Sequence, residues 1–193
     1  MFNIVTIDGP VGIGKSLQVG MLCLKFKELK IEIKVVSFTI DDNDEDCENK
    51  LKNIESLIKL NPKLVIVCDG SIISNVVNSL MSGLNHQTVL KNHGKSFRSY
   101  ENISRNYRVK NILLIPRDLD VCIERINCQK AVECKSTDLT IDNLDKIRTS
   151  IMGFRSMDSS LLTYNISYDK INTYKGESIL ETHEKIKKIV FEK

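Results

Sequence analysis

Residues 9–16, GPVGIGKS, hold three glycines, a lysine and a serine in the spacing G-x-x-x-x-G-K-[ST]. That pattern suits one task, the grip of a triphosphate. Gly9, Gly12 and Gly14 permit backbone angles that turn consecutive amides inward around a phosphate, with Pro10, Val11 and Ile13 completing the loop. Lys15 supplies a point charge to the β- and γ-phosphates, and the Ser16 hydroxyl is offered to Mg²⁺. A helix beginning near Lys15 aims the positive end of its dipole at the same anion. A plain glycine turn would leave Lys15 and the glycine spacing without a purpose. Asp69 is the second anchor. It ends the apolar run LVIVCD, and a carboxylate at the tip of a neighbouring strand would sit near the loop's metal. Without the loop, Asp69 followed by Gly70 would read simply as a turn.

The elements that must hold these residues alternate along the chain. Residues 2–7 (FNIVTI) read as an apolar strand, 15–29 as a helix and 33–39 (IKVVSFT) as a second strand. The acidic stretch 41–48 reads as a solvated loop or part of a substrate lip. Leu51, Ile54, Leu57 and Ile58 share one face of a helix over 49–60, and Pro62 breaks it. The run 63–68 (KLVIVC) is too apolar for a half-exposed strand and suits a parallel sheet covered on both faces. Helices are predicted over 72–82 and 86–104, then a buried strand over 111–115 stopped by Pro116. Helices over 119–128 and 140–155, a last strand near 161–168 and a helix over 177–191 complete the chain. Strands alternating with helices predict an α/β fold: a P-loop three-layer α/β/α sandwich around a five-stranded parallel sheet. Ligands then bind beyond the carboxyl ends of the strands, where the candidate residues fall.

Bulk properties agree. A length of 193 residues suits a single domain spanning 1–193. The net charge of +3 is small and spread along the chain, which argues against a nucleic-acid partner. No apolar run approaches a membrane span, so no membrane partner is expected. The N-terminus lacks a basic start and a small-residue cleavage site, so a reducing, cytoplasmic location is expected. The six cysteines, at 23, 47, 68, 122, 128 and 134, form no CxxC pair and lack nearby histidines, which argues against zinc. A homodimer is compatible with the sequence but not required by it.

The absence of a DxxG after the second anchor and of a clear Asn-Lys-x-Asp stretch argues against a signalling GTPase. The residues instead carry a family resemblance. IDGPVGIGKS (7–16) is similar to the first strand and loop of deoxyribonucleoside kinases, which typically read Glu-Gly-Asn-Ile-Gly-x-Gly-Lys-Ser. Asp69-Gly70-Ser71 resembles their Glu/Asp-Arg-Ser motif. DLDVCIERI (118–126) resembles their Pro-Glu-Val-Cys-Leu-Glu-Arg-Ile helix, and 138–154 the helix after it. The resemblance implies ATP as phosphate donor, Mg²⁺ as cofactor, and a small-molecule nucleoside or nucleotide as partner. It implies transfer of the γ-phosphoryl group to a deoxynucleoside 5′-hydroxyl. It also places a carboxylate base just after the second strand, where Asp41 matches best and Asp42 is the alternative. An ordinary acidic loop is an equal reading of both.

The resemblance further implies a lid near 127–138, with Arg125 as its matching cation. Lys130 and Lys135 are the nearest others, and Arg117 lies just past the fourth strand. Two departures stand out. Gly70 occupies the place of the motif's arginine, and the expected tryptophan is missing, since the chain has none. Phe38, Phe97 or Tyr100 could stack on a base, though core packing is the simpler role for each. Gln87 could read a base edge, though a surface helix is the simpler place. Gln18 after GKS resembles thymidylate kinases, which keeps a nucleoside monophosphate kinase as an alternative. A catalytically degenerate nucleotide-binding protein is the other.

Overall fold

The computed structural model describes residues 1–39, 41–81, 85–133, 141–163 and 166–192, without the side chains at 78, 81, 86, 90, 129–133, 141–143 and 156–163. Five strands are all parallel: β1 (Ile4–Asp8), β2 (Ile33–Ser37), β3 (Val65–Asp69), β4 (Val109–Pro116) and β5 (Asp169–Thr173), in the order β2-β3-β1-β4-β5. Helices α1 (Lys15–Glu28), α2 (Asp44–Leu60), α3 (Ile72–Met81), α4 (His86–Asn106), α5 (Leu119–Glu133), α6 (Ile141–Thr163) and α7 (Ile179–Phe191) cover both faces.

The apolar pattern sets this arrangement. Every residue of β1 is buried, as is β3 up to Cys68, because alternate side chains feed two different cores. Ile4, Ile66, Cys68, Leu113 and Ile115 pack with α2, α3, α4 and Phe154 of α6. Val5, Ile7, Val67, Ile112 and Leu114 pack on the other face with α1, α7, Cys122 of α5 and Ile151 of α6. Polar pins cross the first core. Asn111 on β4 accepts from Thr6 and Tyr100 and donates to the Ser167 carbonyl. Phe97 and Tyr100 are core residues, 5% and 2% exposed.

Two boundaries differ from those expected. Asn43 accepts from the Asp46 amide while Asp46 reaches back to the Asn43 amide, so a capping box starts α2 at Asp44. Part of the acidic stretch is therefore a first helical turn, where Asp44, Glu45 and Asp46 meet the positive dipole end. The last strand is also displaced. α6 runs to Thr163, and β5 is the polar segment DKINT. As an edge strand it buries only Ile171 and Thr173, so composition conceals it and the more apolar LLTYNISY upstream attracts the assignment.

The sheet order places a topological switch between β1 and β3. The chain leaves β1 toward β2 on one side, and leaves β3 toward β4 on the other. Ligands of open parallel sheets bind in that crevice, at the strands' carboxyl ends.

Candidate active site

The glycine-rich loop 9–16 leaves β1 at this crevice. Gly9, Gly12 and Gly14 all have positive φ, at 153°, 80° and 90°, a region closed to most residues with a Cβ. Gly14 is the N-cap of α1 and makes no side-chain cap, so the first amides of the helix face outward beside the loop. Pro10 and Ile13 are buried beneath it, while Val11 and Ser16 are exposed on its rim. The Lys15 ammonium donates to the Gly9 and Pro10 carbonyls at 2.8 and 3.0 Å, holding the head of the loop over its foot. Burial pushes the Lys15 pKa down, against the opposing pull of Asp8 and Asp69.

Asp69 lies in register with Ile7, one strand from the loop, and its field reaches Lys15. It is therefore beside the loop, as its position at a strand tip required. Ser16 follows Lys15 in the chain and Asp69 lies within reach of its field, and both carry hard oxygen atoms. That set suits Mg²⁺ arriving with a triphosphate, which needs one or two protein oxygens rather than a full cage. Among the described residues no cluster of three or more His, Cys, Asp or Glu side chains gathers to hold a metal by itself.

Next to the loop is a cavity of about 160 Å³. Gly9, Val11, Lys15 and Gly70 form its loop side, Phe38 closes one wall, and Ser74 and Asn75 of α3 with Ser150 of α6 close the rest. Lys15 is the one charged residue among its described lining. Asn75 donates to the Asp42 carbonyl and toward the Cys47 sulfur, but its Oδ1 is buried without a partner among the described residues. The Ser150 hydroxyl is likewise buried and unpartnered there. Both atoms are closed to water, so they lie behind the cavity surface that their residues line.

Gly70 explains its own departure from the family motif. Its φ is 73°, and a Cβ there would lie 3.2 Å from the Phe38 carbonyl oxygen. Its amide donates to the Ile7 carbonyl. The chain leaves β3 through a left-handed turn that disfavours arginine.

Asp41 is exposed after β2 and is not part of the cavity lining. Asp42 accepts from the Thr39 amide and pairs with Lys50. Burial works to raise its pKa, but those two partners outweigh it and hold the carboxyl below its usual value. Gln87 is exposed and Arg117 is exposed. Lys130 and Lys135, with most of the expected lid, lie outside the described side chains.

Arg125 does not stand free over the phosphates. It is 7% exposed, donating to the Ile13 carbonyl at 2.7 Å and to the Thr182 hydroxyl at 2.7 Å. Thr182 in turn donates to Glu177, which pairs with Lys185. Gln18, fully buried, bonds the Ile179 carbonyl and His183 on the same helix. Together these contacts brace the phosphate loop from behind against α7. Arg125→Ala should cost about 2–3 kcal/mol, because it removes the guanidinium's bonds to the buried Ile13 carbonyl and to the Thr182 hydroxyl, which keeps only its bond to Glu177. Lysine should not rescue it, since an ammonium cannot span both acceptors in the guanidinium's fork. Thermal melts of the two variants check this.

Asp8 is a residue that sequence reasoning passes over. It is 1% exposed at the end of β1, and accepts from the Ser71 amide (2.8 Å), the Ser71 hydroxyl (2.9 Å) and the Ser74 hydroxyl (2.7 Å). An acid directly before the first glycine of the loop was the available signal.

No protein-family model matches the chain, and no curated protein matches it. Solved structures do. Deoxyadenosine kinase from M. mycoides, with the products dCMP and a flexible dCDP bound, aligns with a TM-score of 0.54 over 95% of this chain and 96% of that one, at 14% identity. The same kinase with bound dATP aligns with a TM-score of 0.50 over the same shares, also at 14% identity. The chains share a fold. The shared fold extends over nearly the whole chain, and at that identity function must be argued from the site's own residues. No helix among the described residues is long and apolar enough to cross a membrane.

Proposed function

We propose that the protein transfers the γ-phosphoryl group of ATP to the 5′-hydroxyl of a deoxyribonucleoside. The observation that carries this reading is the pairing of a glycine-built phosphate loop with a small cavity whose described wall is neutral apart from Lys15. Lys15 serves the donor's phosphates. A monophosphate acceptor reacts through a phosphate oxygen and would need a further cation for its charge, and no second charged side chain is among the described lining. Ser74, Asn75 and Ser150 on the cavity wall are neutral polar residues of a kind that suits the hydroxyls of a sugar. The cavity is below the roughly 300–1,000 Å³ typical of sites for drug-sized ligands, so it takes the reacting end of the acceptor rather than the whole molecule.

In this reading the loop amides and Lys15 hold the β- and γ-phosphates, with Ser16 and Asp69 as the protein oxygens for Mg²⁺. The metal, when bound, neutralises charge developing on the transferred group. For Asp41 the base role rests on the resemblance alone, and an Asn there that leaves transfer intact removes it. Arg125 acts through the Ile13 carbonyl, as a support of the loop.

Labelled ATP with Mg²⁺ and panels of deoxynucleosides and their monophosphates tests the reading. Labelled product is expected from nucleosides. Product from monophosphates alone would establish the monophosphate kinase instead. The left-handed turn at Gly70 favours a third possibility, a binding protein without turnover, and ATP binding with no transfer to any acceptor would establish that.

A further inference from the structure

Asp8 is a buried carboxyl whose field reaches Lys15 and to which the donor site as read above gives no role. A buried ionised carboxylate is normally met by a cation or a metal. Its hydrogen bonds instead come from one amide and two serine hydroxyls, and one of those serines, Ser74, lines the acceptor cavity. A single hydroxyl, 8% exposed, thus joins the cavity to a carboxylate sealed beneath it. A serine hydroxyl donates once and accepts twice. With its proton committed to Asp8 Oδ1 at 2.7 Å, Ser74 Oγ is left to accept from a hydroxyl in the cavity.

We propose that Ser74 and Asp8 form the exit route for the acceptor's proton during phosphoryl transfer. The proposal rests on the kinase reading. As the acceptor oxygen bonds to the γ-phosphorus, its proton passes to Ser74 Oγ while the Ser74 proton passes to Asp8 Oδ1. The bond from the γ-phosphorus to the bridging oxygen breaks, and its electron pair stays on the β-phosphate of ADP. One proton has moved from acceptor to Asp8, which returns it to water after product leaves. General-base assistance of this kind contributes roughly 10²–10⁴-fold to rate.

The alternatives are placed less well. Asp41 lines no part of the cavity, and Asp42 is held below its usual pKa by Lys50 and the Thr39 amide despite its partial burial. Asp8 is shifted the other way. Burial raises its pKa and outweighs the lowering by Ser74, Ser71 and Lys15. The titratable groups facing it are Lys15 from α1, Cys68 from β3 and Tyr100 from α4. Burial pushes Cys68 and Tyr100 far upward, so both stay neutral where the enzyme would work.

The test is the single-turnover rate of phosphoryl transfer from ATP to the four deoxynucleosides, followed from acidic to neutral pH in wild type, Asp8→Asn and Ser74→Ala. Wild type should lose rate as pH falls through the raised Asp8 pKa. Asp8→Asn should lower the neutral plateau roughly 10²-fold or more and abolish that acidic limb. Ser74→Ala should lower the plateau comparably. If Ser74 merely braces Asp8, its loss would remove a bond that lowers the Asp8 pKa, moving the limb to higher pH with the plateau intact. That result, or a wild-type plateau in Asp8→Asn, would overturn the route. Asparagine is isosteric and can keep the bonds from the Ser71 amide and Ser74, so the fold should survive; if it does not, Ser74→Ala decides. Wild-type protein that phosphorylates no nucleoside overturns the kinase reading and this route with it. Wild-type turnover with an intact Ser74→Ala plateau overturns the route alone.

Discussion

Lys15→Met should reduce phosphoryl transfer by roughly 10²–10³-fold, the loss usual when one preorganised charge is taken from a transition state. The protein should nevertheless fold as well as before. The ammonium is held by two carbonyls of its own loop, at Gly9 and Pro10, and burial already lowers its pKa. The sign of the stability effect follows. A lysine whose folded pKa lies below its unfolded value is disfavoured in its charged form by folding. That penalty is fully present below the folded pKa and fades as pH rises from there toward the unfolded one. Methionine keeps much of the side chain's volume and removes the penalty. Turnover, calorimetric ATP binding with Mg²⁺, and a thermal melt together check this. A variant that turns over normally would remove the phosphate-loop assignment.

The second large effect is structural. Gly9→Ala should destabilise the protein by about 3 kcal/mol or more, a sum of left-handed strain and overpacking. For a chain of this size that lowers the melting temperature by roughly 6–12 °C. The new Cβ would lie 2.7 Å from the Leu114 carbonyl oxygen, a backbone atom of β4 that cannot turn aside. Gly12→Ala is the milder case, because its closest contacts are the tip atoms of the Ile126 side chain. Gly20 provides a control on the same stretch of chain. It lies within α1 with nothing within 4 Å of a built Cβ. Gly20→Ala should therefore stabilise by up to about 1 kcal/mol, the helix propensity difference.

What could be read from the chain divides along physical lines. The inner strands β1, β3 and β4 are legible because burial on both faces demands unbroken apolar runs. β5 is not, because an edge strand needs only Ile171 and Thr173 inside. The turn between β1 and α1 is legible because the G-x-x-x-x-G-K-[ST] pattern rests on residue type and spacing within eight positions. Ser74, Asn75 and Ser150 are not, since α3 and α6 bring them together across more than seventy residues, and nothing local distinguishes them from surface serines and asparagines. Arg125 illustrates a different limit. Its place in a helix motif suggests a hand over the phosphates, whereas Ile13 and Thr182 bind it behind the loop. Partners supplied by tertiary packing decide what a guanidinium does.

The left-handed turn at residue 70 also limits what that position can hold. A guanidinium introduced there by a single codon would place a side chain on a backbone that resists one, against the carbonyl of Phe38. A positive charge at this edge of the cavity would require the exit from β3 to be rebuilt, or a cation supplied from another segment. Backbone geometry thus screens the chemistry open to this position before any side chain is chosen.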